Sequence, residues 1–119
     1  MFSVKVDVIH GVVELHLSGP LTESQLSDCA QELKSVFSSC PEPPAGVLFD
    51  RKTTRPSNQH VALLLAKVFD LVQTSGAQRI ADVGTSGLPN AAYDERSQRF
   101  DSEEEARRWL FQLSVPLAK

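Results

Sequence analysis

The first eighteen residues alternate between apolar and polar side chains, and this pattern most limits what the chain can fold into. Period-two alternation is typical of a strand with one buried face, and it covers residues 2–9 and again residues 12–18. His10-Gly11 lies between the two runs and predicts a tight turn, because glycine adopts positive φ without steric cost. The chain therefore begins with an antiparallel β-hairpin, against which the rest has to pack.

Helical and strand patterns then alternate along the chain. Gly19-Pro20 is predicted to end the second strand, and the pattern Thr22 to Gln25 is a capping box that opens a helix. Val47 to Phe49 is continuously apolar, as expected of a central strand covered on both faces. Ser57 is predicted to cap a second long helix.

The last third of the chain repeats this alternation on a smaller scale. Arg79 to Val83 and Gln98 to Phe100 are predicted strands, and Ser102 with Glu105 forms a second capping box before a final helix. The predicted order is β-β-α-β-α-β-β-α in a single domain, residues 1–119. A hairpin followed by alternating units predicts an α/β fold with one mixed β-sheet and packed helices.

Composition excludes several functional classes. The net charge of −3 and the pI of about 5.5 give no support for nucleic-acid binding. No apolar run approaches the roughly 18 residues of a membrane span, and the amino-terminus lacks the unbroken apolar block of a signal peptide. These features predict a cytoplasmic protein. Cys29 and Cys40 lie too far apart along one helix to pair.

Four segments, taken in their order and spacing, resemble the STAS domain superfamily and in particular its SpoIIAA-like branch. They are VVELHLSGPLT (12–22), VLFD (47–50), PSNQHVALLLAKVFD (56–70) and RFDSEEEARRWL (99–110). The resemblance implies a non-enzymatic regulatory or binding module without a cofactor, which binds a protein partner or a small anionic ligand.

The same resemblance directs attention to the segment before the second predicted helix. In anti-sigma-factor antagonists of this group, a Ser at that place is phosphorylated within an Asp-Ser-Ser-Gly motif; Ser57 occupies it here, without the rest of the motif. A phosphate or other anion there would meet free backbone N–H groups and the cations Arg51, Lys52 and Arg55. The alternative is that Ser57 only caps the helix, and that Asp50 only orients the loop by accepting backbone N–H groups.

A second loop is a possible ligand site. The segment Gly84-Thr85-Ser86-Gly87 has the composition to bind an anion on its backbone N–H groups, although turn formation is the favoured explanation of its glycines. Ligands of open sheets bind beyond the carboxyl ends of parallel strands. The loops at Ser18–Thr22, Asp50–Ser57 and Gly84–Asn90 share one edge if their strands are parallel.

Other functions remain open at this point. A small-ligand or lipid carrier requires a sizeable apolar pocket. A small hydrolase using Ser57 and His60, with Asp50, lacks a recognisable nucleophile motif. No catalytic residue and no metal ligand is predicted, because the three histidines have no convergent partners in the sequence pattern. The hairpin or the second helix offers a surface for a homodimer.

Overall fold

Five strands and three helices form the protein, in a computed structural model that describes residues 1–56, 58–84, 93 and 95–111, with only the backbone of 55 and 56. The elements are β1 (Phe2–Asp7), β2 (Val12–Leu21), α1 (Glu23–Ser39), β3 (Gly46–Pro56), α2 (Gln59–Gln73), β4 (Arg79–Val83), β5 (Ser97–Phe100) and α3 (Glu103–Phe111). This order confirms the alternation predicted from the sequence.

The strands form one mixed sheet in the spatial order β1-β2-β3-β4-β5. β1 is antiparallel to β2, and each of the remaining neighbouring pairs is parallel. The predicted mixed sheet is therefore confirmed. Because β2, β3, β4 and β5 run in the same direction, their carboxyl ends lie at one edge of the sheet, which we call the carboxyl edge.

The helices cover the two faces of the sheet unequally. Phe49 belongs to the larger core, together with Leu33 of α1 and Phe69 of α2. The next residue back along β3, Leu48, points to the opposite face and packs with Leu110 of α3. Since side chains alternate along a strand, α1 and α2 lie on one face of the sheet, and the shorter α3 lies on the other.

β2 and β3 are longer than the sequence predicts. The expected break at Gly19-Pro20 is wrong, because β2 continues to Leu21 and pairs with β3 through Pro56. Gly19 adopts a φ of 70°, after a register shift between His16 and Ser18. Pro20 is tolerated because β1 pairs with β2 only as far as Leu17, so no ladder bond from Pro20 is needed on that side. The stretch predicted as the loop Asp50–Ser57 is mostly strand.

Two local details also differ from the sequence-based prediction. The first strand ends at Asp7, and Val8 and Ile9 lie in the hairpin turn with exposed side chains. The cap of α2 is Asn58, whose side-chain oxygen accepts the N–H of Val61 at 2.9 Å. The capping box of α1 at Thr22 and Gln25 is confirmed, with both of its hydrogen bonds formed.

Candidate functional site

The carboxyl edge brings together some of the residues singled out from the sequence. Asp50 is the last residue of β3 that pairs with β4, and its Oδ1 accepts the backbone N–H of Lys52 at 3.2 Å. This is the orienting role considered for Asp50. Lys52 is exposed. Exposure is required of any residue that contributes to the locally positive surface predicted here.

Arg51 is not at the surface. Its side chain is only 9% exposed, and its guanidinium makes two hydrogen bonds of 2.8 Å to the carboxylate of Asp82, which is fully buried. The hydroxyl of Tyr93 also donates to Asp82. Burial lowers the pKa of Arg51, but the hydrogen bond and charge of Asp82 outweigh it and raise the pKa above its ordinary value. The charge of Arg51 is therefore neutralised inside the protein, which corrects its assignment to an exposed anion-binding surface.

Gly84 has a packing role beside this buried pair. A Cβ atom built at Gly84 would lie 2.6 Å from the Cζ of Arg51, closer than real contacts allow. Thr85, Ser86 and Gly87 lie outside the described residues, as do Ser57 and the side chain of Arg55. Their assignment to a switch or an anion-binding loop stays a prediction.

The residues of the hydrolase hypothesis bind different partners. His60 Nε2 lies 2.7 Å from the carboxylate of Glu23, and both side chains are about two-thirds exposed. Asp50 instead contacts His16, with 3.2 Å between Asp50 Oδ2 and His16 Nδ1. The described part of the chain thus does not join His60 and Asp50 into a catalytic relay, which would need them in hydrogen-bond reach of each other.

A group of charged residues lies between the sheet and α3, and we call it the polar cluster. Its members come from β2, β3 and α3: Glu14, His16, Asp50, Glu103 and Arg107. Arg107 donates to both carboxylate oxygens of Glu14, at 2.7 and 2.8 Å, and to Glu103 at 2.7 Å. The ring of His16 has a carboxylate at each nitrogen, since Nε2 lies 2.9 Å from Glu14 Oε1 and Nδ1 faces Asp50.

The ion pairs of the polar cluster shift the acidities of its members. The hydrogen bond from Arg107 lowers the pKa of Glu14 to about 2, with burial opposing and His16 assisting. Arg107 likewise lowers the pKa of Glu103. The guanidinium pKa is raised in turn, mainly by Glu14. Arg107 and Glu14 therefore stay ionised throughout the neutral range and attach α3 to the sheet.

The sequence-based prediction missed the polar cluster. It found no convergent partners for the three histidines, and it treated the start of the final helix only as a capping box. Two signals were present: Glu14 and His16 share one face of a strand, and Glu103 and Arg107 have the i,i+4 spacing of a helical ion pair. The link from β2 to α3 was not readable, because it depends on how α3 packs on the sheet.

A groove of about 680 Å³ lies on the opposite side of the molecule, between α1 and α2. Its apolar lining consists of Leu26, Ala30, Leu64, Val68 and Leu71. Charged side chains also line it, with Glu23 and Asp28 in the first half of α1 and with Lys34 and Lys67 further along the two helices. The groove starts beside the contact of Glu23 with His60, which joins the first turns of the two helices.

Comparisons with known proteins support the fold of this chain but show no family to which it belongs. No protein-family model matches the chain, and no curated protein matches it. A solved structure does: an uncharacterized protein of the DUF3478 family with a SpoIIAA-like fold, from Shewanella loihica PV-4. It is 16% identical to this chain with a TM-score of 0.61, over 92% of each chain. The protein thus has a SpoIIAA-like α/β fold, which confirms the resemblance at the level of the fold. In the described residues, no helix has the length and apolar character needed to cross a membrane.

Proposed function

We propose that the chain is a non-enzymatic regulatory or binding module that holds an amphipathic segment of a protein partner in the groove between α1 and α2. The groove carries this proposal, because an apolar floor between two helices with charged rims matches the way an amphipathic helix is bound. The SpoIIAA-like fold supports it through the partner-binding role that the STAS resemblance implies.

The charges of the groove define the segment that fits it. Lys34 and Lys67 are exposed and lie on the two helices beside the apolar floor. A partner with acidic residues at that end would pair with both ammonium groups, whereas a basic residue fits beside Glu23 and Asp28. Apolar side chains spaced three and four residues apart would contact Leu64 and Ala30 between the charged ends.

The segment around Ser57 supplies a means of regulation within this proposal. In the sequence Ser57 directly precedes Asn58, which caps α2 at the end of the groove where Glu23 and His60 are in contact. Phosphate on Ser57 would add negative charge there. We expect it to weaken a partner that places an acidic residue nearby and to strengthen one that places a basic residue nearby.

The affinity of a protein partner for variants of the groove tests the proposal. The immobilised chain is used to isolate a partner from an extract of its source organism, and the purified partner is then titrated calorimetrically. Ala30→Glu and Leu64→Glu introduce a charge into the groove and should abolish binding. Gln31→Glu adds the same charge on an exposed position of α1 that does not line the groove, and should leave binding unchanged.

The same titration separates a protein partner from the second candidate, an apolar-ligand carrier, which the apolar floor also favours. Oleate is added to the complex as a probe with an acyl chain and a carboxylate that Lys34 or Lys67 could bind. Oleate that binds one-to-one and displaces the partner would favour the carrier. Equal binding of the partner to wild type and to Leu64→Glu would place its surface elsewhere.

A further inference from the structure

Three side chains of the polar cluster converge on one point. A ring nitrogen of His16, a carboxylate oxygen of Asp50 and a carboxylate oxygen of Glu103 all lie within 4.8 Å of one another, and Nδ1 is the ring nitrogen that faces Asp50. They come from β2, β3 and the first turn of α3, and each residue is partly exposed, so that solvent reaches them. Atoms bound to one Zn²⁺ at about 2.0–2.2 Å are separated by about 3–4 Å. Small side-chain rotations therefore close this set around an ion.

Each of the three side chains also has a second polar contact within the protein, as metal ligands commonly do. The other ring nitrogen of His16 contacts the carboxylate of Glu14 at 2.9 Å. The second oxygen of Asp50 accepts the N–H of Lys52, and Glu103 accepts from Arg107 Nε at 2.7 Å. A carboxylate behind a histidine fixes the ring orientation and tautomer that leave the opposite nitrogen free to bind a metal.

The polar cluster has an excess of negative charge, which a bound cation would neutralise. A carboxylate oxygen of Asp50 and one of Glu103 lie within 4.8 Å of each other, an arrangement that two ionised carboxylates disfavour unless a cation lies between them. Glu14, Asp50 and Glu103 carry three negative charges when ionised, against the one positive charge of Arg107. With a neutral imidazole, the excess equals the charge of one divalent ion.

We propose that His16, Asp50 and Glu103 form a binding site for a divalent transition-metal ion such as Zn²⁺. One imidazole nitrogen with two carboxylates favours this class of ion over Mg²⁺ or Ca²⁺, which prefer oxygen ligands alone. The ion would join β2, β3 and α3 and complete its coordination with water. This site lies on the face of the sheet opposite the groove between α1 and α2, and does not depend on the function proposed for that groove.

Calorimetric titration of the full chain with ZnCl₂, after chelator treatment, tests the site. All proteins in the titration carry Cys40→Ser, which removes a partly exposed thiol as a competing ligand. We expect one ion per chain, and we expect Asp50→Asn and Glu103→Gln to weaken its binding at least about 10-fold, the lower end of what even second-shell changes cost. CaCl₂ in place of ZnCl₂ should give no comparable heat.

Matched variants exclude less specific explanations. His60→Ala removes another histidine that faces a carboxylate, outside the proposed set, and should bind Zn²⁺ as the parent protein does. Circular dichroism of each variant confirms that it is folded. The proposal is overturned if Zn²⁺ does not bind. It is also overturned if folded Asp50→Asn and Glu103→Gln bind the ion with unchanged affinity.

Discussion

Arg107 of α3 and Glu14 of β2 are 93 positions apart in sequence and are joined by two hydrogen bonds, of 2.7 and 2.8 Å. This bidentate pair links α3 to the sheet strongly, since charge-assisted hydrogen bonds are roughly twice as strong as neutral ones. It gives α3 a fixed orientation, which nine residues of helix would not achieve by themselves.

Replacing Arg107 by Ala should therefore destabilise the protein noticeably. Hydrogen bonds to charged groups contribute about 1.5–3 kcal/mol, and we expect a loss of that size in the free energy of unfolding by urea. Arg108→Ala is the matched control: Arg108 pairs with Glu104 on the exposed side of the same helix, where such a pair contributes less than about 0.5 kcal/mol. Equal losses for the two variants would contradict the attachment role of Arg107.

The pair of Arg51 and Asp82 should be more sensitive still. Asp82→Ala removes the bidentate partner of a buried guanidinium and the acceptor of the Tyr93 hydroxyl, at a cost of about 3–5 kcal/mol. Asp101→Ala removes the partner of Arg99 at an exposed site and should leave the free energy of unfolding nearly unchanged, because solvent screens such pairs. Denaturant unfolding of the two variants gives the comparison; a small effect at Asp82 would show that the pair is dispensable.

Gly84 should be coupled to Arg51. A methyl group at position 84 would lie 2.6 Å from the guanidinium carbon, and relieving that overlap is expected to cost about 1–3 kcal/mol. The cost of Gly84→Ala should fall when Arg51 is also replaced by Ala, because the clashing atoms are then absent. A double-mutant cycle measures this coupling, and additive effects of the two changes would refute it.

The thiol of Cys29 predicts a loss of stability at alkaline pH. Burial, assisted by the charge of Glu32, raises its pKa from 9.0 to about 12. The folded state keeps the proton between these values while the unfolded state loses it, so the contribution of Cys29 is fully present below pH 9 and is lost as the pH rises toward 12. The slope approaches about 1.4 kcal/mol per pH unit.

Cys29→Ala supplies the control for this pH dependence, because it removes the thiol and keeps every other ionisable group of the chain. The difference in unfolding free energy between wild type and Cys29→Ala should shrink from pH 9 upward. Thiol labelling at pH 8 gives a second check, with the partly exposed Cys40 reacting in the folded protein and the buried Cys29 only after unfolding. Rapid labelling of both would show that Cys29 is not protected.

The capping box of α1 and the path of β2 show two different degrees of predictability from the sequence. The capping box at Thr22 was identified correctly because both of its hydrogen bonds lie within four residues. The strand continuing through Gly19-Pro20 was missed, because the partner that stabilises it is β3, 35 positions away.

The residues of the candidate site also differ in how far away in sequence the partner that determines their role lies. The orienting role of Asp50 depends on Lys52, two residues along, and was anticipated. The burial of Arg51 depends on Asp82, 31 positions away, and was not. The sequence of a cation next to a strand is the same whether its side chain faces solvent or a buried carboxylate. The prediction from charge alone that Arg51 is exposed was therefore wrong.

The long parallel pairing of β2 with β3 also has a consequence for the order in which the protein folds. Paired residues such as His16 and Asp50 are 34 positions apart, and all of α1 lies between them. The ends of that segment must come together before β2 and β3 can form any hydrogen bond with each other. The entropic cost of bringing them together slows folding. We infer that the β1–β2 hairpin and α1 form early, and that β3 joins them in the rate-limiting step, with α3 docking onto Glu14 afterwards.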